Sequence, residues 1–288
     1  MKKNDTAGEQ VSVQTDDGWT LKFNRFTPRD SATAPRAIVV ILPAMGAHAR
    51  PYRFMAQALA DMGNAVYTVD PRGHGQSRPL PRRGIDYGID DFLKMDIPAI
   101  LEKTRQQSGG LPIFLIGHSY GGHLSAVYAA ENPGQICGVI TLTTSQLYYK
   151  IFSPVSLILY SMFSVLAKTM GYVPGQHLGW GTPMARQQVL DWARWGFSGK
   201  FRGTDGRRFE PLIKEMQTPG LCIGFTDDSR LGPPKAIRHF SLLFPDDKVT
   251  HWSLSPTELE APKLGHFDHL RTGTNLWPRL DRWISEQI

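Results

Sequence analysis

Apolar and polar residues alternate along the chain with two different periods. Near the start, 11–14 and 20–23 alternate on either side of Asp16-Asp17-Gly18, which predicts an opening β-hairpin. Continuous apolar runs such as AIVVIL are typical of strands buried on both faces of a sheet. The predicted buried strands are Ala37–Leu42, Ala65–Val69, Ile113–Ile116, Gly138–Leu142, Leu221–Phe225 and Val249–Leu254.

Segments with helical spacing separate these strands. The stretch from Asp91 to Arg105 is expected to kink at Pro98, because proline interrupts a helix. Strands that alternate with helices predict a mostly parallel central sheet, built by right-handed crossovers and flanked by helices. The predicted helices are Tyr52–Met62, Asp91–Arg105, Tyr120–Ala130, Pro234–Phe244 and Trp277–Ile288.

The alternation breaks over residues 145–218, a region rich in Tyr, Trp, Met and Pro. We expect an inserted helical cap here, with the core formed by residues 1–144 and 219–288. Ile151–Ala167 carries no charge and is only just long enough to suggest a membrane span. Pro154, four serines and the charge at Lys168 argue against a span.

Composition places the chain among globular proteins, with 41% apolar and 20% charged residues among 288. The net charge is +6, but Lys and Arg are scattered, so no nucleic-acid partner is expected. Cys137 and Cys222 lie in or beside apolar runs and are expected to be free thiols. The charged start Met1–Asp5 is not followed by an apolar stretch, so we expect no secretory signal and a cytoplasmic location.

The segment Gly117-His118-Ser119-Tyr120-Gly121 matches the G-x-S-x-G nucleophile elbow. A serine on a sharp turn from strand to helix has strained backbone angles, and flanking side chains would clash with neighbouring backbone. Glycines two residues to either side remove that clash. Because the motif follows a predicted strand and precedes a predicted helix, it predicts that Ser119 is a catalytic nucleophile.

At these residues the sequence resembles the α/β-hydrolase superfamily, and most closely its branch of monoacylglycerol lipases, lysophospholipases and serine aminopeptidases. Asp70–Ser77 (DPRGHGQS) is similar to the loop after that branch's second buried strand, and Gly265-His266-Phe267 to its histidine loop. The resemblance covers nearly the whole chain and implies an α/β-hydrolase fold with a Ser, acid, His triad in that chain order.

His266 is the general base that the resemblance implies, with His269 as its rival. The acid that orients the imidazole is either Asp228 or Asp227. The family's usual offset, counted from the strand entry at Pro219, implies Asp228, which we expect to be the acid. Counting from Gly224 favours Asp227 but puts Phe225 in the place of a strand-end glycine.

The resemblance also implies an oxyanion hole made by two backbone N–H groups, those of Tyr120 and Met45. The second assignment aligns Pro43-Ala44-Met45-Gly46 with His-Gly-x-Gly, so this chain has Pro and Ala in place of His and Gly. His266 and His269 are spaced like metal ligands, but no third ligand cluster accompanies them. No metal and no cofactor is expected.

These residues predict a serine hydrolase that cleaves an ester, thioester or amide bond of an apolar acyl or aromatic substrate through an acyl-enzyme. A serine aminopeptidase or acyltransferase with the same triad, or a non-catalytic small-molecule receptor, remains an alternative. A peptidase would need a carboxylate near the substrate amine, for which Asp191, Glu210 and Glu215 are candidates. The uncharged run 151–167, with Phe163 as an example, is expected to line the acyl pocket, to pack on the core or to contact a lipid surface transiently.

Overall fold

The computed structural model describes residues 8–29 and 34–288, so the charged start Met1–Asp5 lies outside the described residues. Its centre is an eight-stranded sheet with the strand order β1-β2-β4-β3-β5-β6-β9-β10. The two remaining strands, β7 and β8, pair with each other. The strands are β1 (Glu9–Gln14), β2 (Thr20–Phe26), β3 (Ala37–Leu42), β4 (Asn64–Asp70), β5 (Ile113–His118), β6 (Gly138–Leu142), β7 (Tyr172–Val173), β8 (Met184–Ala185), β9 (Gly220–Phe225) and β10 (Val249–Leu254).

Pairing within the large sheet is parallel from β4 through to β10. The predicted hairpin of β1 and β2 adds an antiparallel edge to it. The prediction of a mostly parallel sheet with flanking helices is therefore confirmed. The register pairs Leu42 with Gly117 and Gly117 with Thr141, so the carboxyl ends of three neighbouring strands meet at one edge. Ligands of such sheets bind at this edge.

Helices cover both faces of the sheet because its central strands are apolar on both faces. In β3, Ile38 and Val40 belong to one buried cluster, whereas Val39 and Ile41 belong to the other. The helices are α1 (Arg53–Asp61), α2 (Ile89–Asp91), α3 (Ile97–Ser108), α4 (Tyr120–Glu131), α5 (Tyr149–Phe152), α6 (Ser156–Met170), α7 (Arg186–Ser198), α8 (Glu210–Lys214), α9 (Pro234–Ser241), α10 (His269–Thr272) and α11 (Trp277–Glu286).

At Pro98 the structure differs from the single kinked helix that we predicted for Asp91–Arg105. A π-helical turn, Phe92–Asp96, joins α2 to α3, and Pro98 lies in the first turn of α3. A proline there costs no helical hydrogen bond, since the first N–H groups of a helix have no partner within it.

Between β6 and β9 the chain forms α5 to α8 and the small β7–β8 hairpin. Pro154 separates α5 from α6, so the uncharged run 151–167 is divided between two helices. In the described part of the chain, no helix is long and apolar enough to cross a membrane. The cytoplasmic location and the division into core and cap stay predictions.

Candidate active site

Ser119 lies at the turn between β5 and α4 with a strained backbone, φ 53° and ψ −113°. A Cβ on Gly117 would overlap the carbonyl oxygen of Gly121, and a Cβ on Gly121 would overlap that of Leu42. Gly122, which the sequence motif does not include, has the same role: a Cβ there would overlap Thr144 Oγ1. The glycines thus let the strand, the turn and the helix approach closely enough to hold the serine in this conformation.

The structure brings His266 and Asp228 together from two loops of the sheet edge. Asp228 follows β9, and its Oδ2 lies 2.6 Å from His266 Nδ1. Both side chains are buried, which strengthens a charge-assisted hydrogen bond. Asp228 Oδ1 also accepts the backbone N–H of Leu231 at 3.3 Å. Gly232 closes over the pair, since a Cβ on it would overlap Asp228 Oδ2.

Asp227 has different partners. Its carboxylate accepts the backbone N–H groups of Leu264 and Gly265 at 2.9 and 3.1 Å. It therefore fixes the loop that carries His266 and does not contact the imidazole, which is bound by Asp228.

Two further histidines lie close to His266. His269 is fully buried in α10 against Phe225, and burial lowers its pKa to about 4. His118 precedes Ser119, and the centroid of its ring is 4.9 Å from that of His266. Burial also lowers the pKa of His118 well below its usual range, so both rings are neutral at pH 7. Within 8–29 and 34–288, no group of three or more His, Cys, Asp or Glu residues is arranged to hold a metal ion.

The loop 43–46, which departs from the His-Gly pattern, is held from several sides. Ala44 N–H donates to Tyr52 Oη at 3.0 Å, and Tyr52 Oη lies 2.7 Å from His118 Nδ1. On the other side, the carbonyl oxygen of Gly46 accepts the backbone N–H of Thr182 at 3.1 Å. The sequence pattern contains no signal for the contacts with His118 and Thr182, because they join distant segments.

Asp70 ties this loop to the DPRGHGQS segment. Its Oδ1 accepts the backbone N–H of Ala49 at 2.7 Å, and its Oδ2 accepts that of Gln76 at 2.8 Å. Gly75 leaves the room that the carboxylate needs, since a Cβ there would overlap it. The motif that carried the resemblance therefore serves to position the loop after β3.

A cavity of about 620 Å³ opens beside Ser119, and Met45, Tyr120 and His266 line it with the serine. Tyr120 is the first residue of α4, so its N–H has no partner within the helix. In the described residues, no hydrogen bond joins Ser119 Oγ to His266. Such contacts often tighten only when substrate is bound. The apolar part of the lining consists mainly of Leu147, Phe152, Val155, Leu159, Tyr160, Trp180, Trp192, Leu231 and Phe267.

The uncharged run contributes to this cavity and also packs on its neighbours. Phe152, Val155, Leu159 and Tyr160 line the cavity. Phe163 does not: it is fully buried, and its ring centroid lies 5.0 Å from that of Trp180 and 6.0 Å from that of Trp192. The expectation that Phe163 exemplifies the pocket lining is therefore wrong, because its side chain supports the two tryptophans from behind.

None of the three carboxylates that we considered for a peptidase, those of Asp191, Glu210 and Glu215, lines the cavity. Asp191 is buried and accepts hydrogen bonds from Thr204 Oγ1 and Arg194 Nη2. Glu210 accepts the backbone N–H of Phe201 at 2.9 Å, and Glu215 is exposed at the end of α8. None of these three residues therefore offers the cavity a carboxylate that could bind the ammonium group of a peptide substrate.

Comparison with known proteins identifies the family to which the chain belongs. Residues 33–189, more than half of the chain, match the model of the family described as serine aminopeptidase, S33. Human monoglyceride lipase is 31% identical over 111 residues, which are 38% of this chain and 35% of that protein. Monoacylglycerol lipase of Mycolicibacterium smegmatis is 28% identical over 163 residues, 56% of this chain and 54% of that protein. The chain thus spans between a third and just over half of the length of these curated relatives.

Solved structures of low sequence identity share the fold over nearly the whole chain. A soluble variant of monoglyceride lipase from Saccharomyces cerevisiae, in complex with a substrate analogue, superposes with a TM-score of 0.75 at 16% identity, covering 99% of this chain and 97% of that one. Est1E from Butyrivibrio proteoclasticus with bound ferulic acid gives a TM-score of 0.66 at 16% identity, covering 96% and 98%. The fold is therefore that of the α/β-hydrolases.

Proposed function

Because the chain belongs to the serine aminopeptidase S33 family of α/β-hydrolases, we propose that it is a serine hydrolase that cleaves carboxylic esters of apolar acyl groups. The observation that carries this proposal is the buried hydrogen bond between Asp228 and His266, beside a largely apolar cavity that Ser119 shares. Curated relatives that are lipases of monoacylglycerols support an ester as the bond that is broken.

In the proposed mechanism, His266 accepts the Ser119 hydroxyl proton as the oxygen attacks the ester carbonyl carbon. Asp228 accepts the Nδ1–H of His266, which leaves Nε2 free to act as the base. The same carboxylate stabilises the imidazolium once it forms. Because Gly232 has no side chain, it leaves the space that the carboxylate of Asp228 needs beside His266.

The attack places a negative charge on the former carbonyl oxygen. We assign the backbone N–H groups of Met45 and Tyr120 as its donors, each worth roughly 3 kcal/mol of transition-state stabilisation. Collapse of this intermediate expels the alcohol, which takes its proton from His266, and leaves the acyl group on Ser119. Water then attacks the acyl-enzyme with His266 again as base, and the carboxylic acid is released.

The segment 145–218 is proposed to act as the cap that shapes the acyl site. Its residues Phe152, Val155 and Leu159 line the cavity, which favours an acyl chain over a small polar acid. The outward face of α6 is also apolar: Ile158 is 71% exposed and Val165 is 59% exposed. We propose that this face contacts a lipid surface transiently, which would bring an acyl substrate to the cavity.

Labelling with a fluorophosphonate tests the proposed function, since only an activated serine reacts. We expect labelling at Ser119 and hydrolysis of nitrophenyl esters. Ser119→Ala should abolish labelling and lower kcat by a factor on the order of 10⁶ with folding kept. Ser229→Ala, which changes another serine of the same cavity, is the matched control and should keep both. Hydrolysis by purified Ser119→Ala at a near wild-type rate would exclude Ser119, and a wild-type protein that neither labels nor hydrolyses would contradict the proposed activity.

A further inference from the structure

The cavity lining contains a positively charged side chain and no carboxylate, as far as the structure describes the chain. Apart from histidines, Arg230 is the single charged side chain among the described residues that line it, and none of them is Asp, Glu or Lys. Arg230 is exposed, and the described part of the chain offers it no ion pair or hydrogen bond. An arginine at the edge of an apolar cavity, with no carboxylate of the protein to neutralise it, leaves a guanidinium free for a ligand.

The backbone that carries Arg230 is fixed next to the candidate triad. Asp228 Oδ1 accepts the N–H of Leu231, so the acid itself closes a turn around this arginine. Gly232 then packs against Asp228 and His266, and Pro233 leads into α9, which begins at Pro234. Because the turn is anchored at Leu231 and Gly232, the backbone of Arg230 is held beside the candidate triad, and its side chain lines the same cavity as Ser119 and His266.

We propose that Arg230 binds an anionic oxyacid group, a phosphate or a carboxylate, carried by the substrate of this enzyme. The inference rests on the proposed ester hydrolysis and deepens it by naming the substrate class: an amphiphile with an acyl chain and an anionic polar part. The planar guanidinium matches two oxygens of a phosphate or carboxylate. A cationic polar part would meet Arg230, and in the described residues no carboxylate lines the cavity to compensate, so the cavity selects against it.

Matched octanoyl esters test the preference of the wild-type protein. The alcohols are glycerol, glycerol 3-phosphate, glyceric acid and choline, so that the acyl chain is constant and only the charge of the polar part changes. We expect kcat/KM for one or both anionic esters to exceed that for the glycerol ester by roughly tenfold, a value typical of a partly solvated charge-assisted hydrogen bond. The choline ester should be the poorest substrate. The two anionic esters distinguish a phosphate from a carboxylate ligand.

Variants assign the preference to this residue. Arg230→Gln should bring the ratio of kcat/KM for the anionic esters to that for the glycerol ester down to about one, whereas Arg230→Lys should retain part of the advantage. The control is Arg282→Gln, another exposed arginine, on α11, which should leave all four values unchanged. Raising the ionic strength should reduce the anionic advantage in the wild type and in Arg282→Gln alike, and should change little in Arg230→Gln, which has no such advantage to lose.

An equal rate for neutral and anionic esters in the wild type would overturn the proposal. So would an advantage that survives in Arg230→Gln, or a preference for the choline ester. Fluorophosphonate labelling separates this failure from that of the proposed function: a protein that labels at Ser119 and hydrolyses the glycerol ester, but has no anionic preference, refutes the role of Arg230 alone. A protein that neither labels nor hydrolyses any of the four esters refutes both.

Discussion

Asp227 and Asp228 are adjacent in the chain, yet their carboxylates bind different groups. Asp228 accepts from the imidazole of His266, and Asp227 accepts two backbone N–H groups of the loop that carries that histidine. From the sequence, the elbow predicts Ser119 because its glycine spacing is local. The choice between the two acids depends on the turn after β9, where Asp228 N–H donates to the carbonyl oxygen of Phe225, and no local pattern determines that turn.

The two asparagine variants should therefore differ in kind. Asp228→Asn presents an amide to His266 Nδ1, which favours the wrong tautomer, and we expect kcat to fall by roughly 10⁴. Asp227→Asn keeps one oxygen acceptor for the histidine loop, so kcat should fall far less while the melting temperature drops by a few degrees. Parallel measurements of kcat and melting temperature on both variants check this. A lower kcat for Asp227→Asn than for Asp228→Asn would instead identify Asp227 as the acid.

Helix α6 presents apolar side chains to three different surroundings. Leu159 lines the cavity, Phe163 is buried behind Trp180 and Trp192, and Ile158 points to solvent. The sequence predicts that this run is apolar and helical, but it does not show which side chains face the cavity, the interior or the solvent. A helix that is apolar all round has no polar stripe to orient it. Those positions are decided by packing against α7, Trp180 and Trp192.

Substitutions at Leu159, Phe163 and Ile158 should separate the effects of lining, packing and exposure. If Leu159 lines an acyl site, each substrate methylene should gain up to about 0.8 kcal/mol until the site is filled. In the wild type, kcat/KM should then rise several-fold per two carbons from acetyl to medium chains. Leu159→Ala should flatten that rise while it spares acetyl esters. A wild-type profile that falls steadily from acetyl upward would contradict the acyl site.

The controls for this series lie on the same helix. Phe163→Ala should lower the free energy of unfolding by roughly 3–5 kcal/mol, as expected for a fully buried phenylalanine. Ile158→Ala, at a residue that is 71% exposed, should change neither the unfolding free energy by more than about 0.5 kcal/mol nor the chain-length profile. A chain-length profile that changes as much in Ile158→Ala as in Leu159→Ala would show that the outward face, rather than the cavity, sets the profile.

At the scale of the molecule, the alternation of strands and helices predicts the parallel sheet because each apolar run is a local signal. The strand order and the ties between distant loops are not local. Asp70 binds the loop after β3, and Tyr52 connects that loop to His118, although these residues are far apart in the sequence. The sequence therefore predicts the sheet and the candidate nucleophile Ser119, but not the buried network that holds the candidate site in place.

Burial of neutral histidines also makes the stability of the whole molecule depend on pH. The pKa values of His74, His123 and His269 are each lowered to about 4 because burial disfavours the charged imidazole. In the unfolded chain they titrate near 6.5. Between these values the unfolded state binds protons that the native state does not, so the free energy of unfolding falls as the pH falls from about 6.5 to 4.

Urea unfolding at pH 7.5 and pH 5.0 measures this loss. Each histidine should contribute up to roughly 2 kcal/mol of destabilisation at pH 5.0, since each pKa unit corresponds to about 1.4 kcal/mol. His123 Nε2 lies 2.9 Å from the carbonyl oxygen of Ser145, and a glutamine amide can donate to the same oxygen without titrating. His123→Gln should therefore reduce the loss between the two pH values, whereas His177→Gln, at an exposed position, should leave it unchanged. If His123→Gln loses as much stability as the wild type between pH 7.5 and pH 5.0, protonation of this buried imidazole is not what weakens the fold in acid.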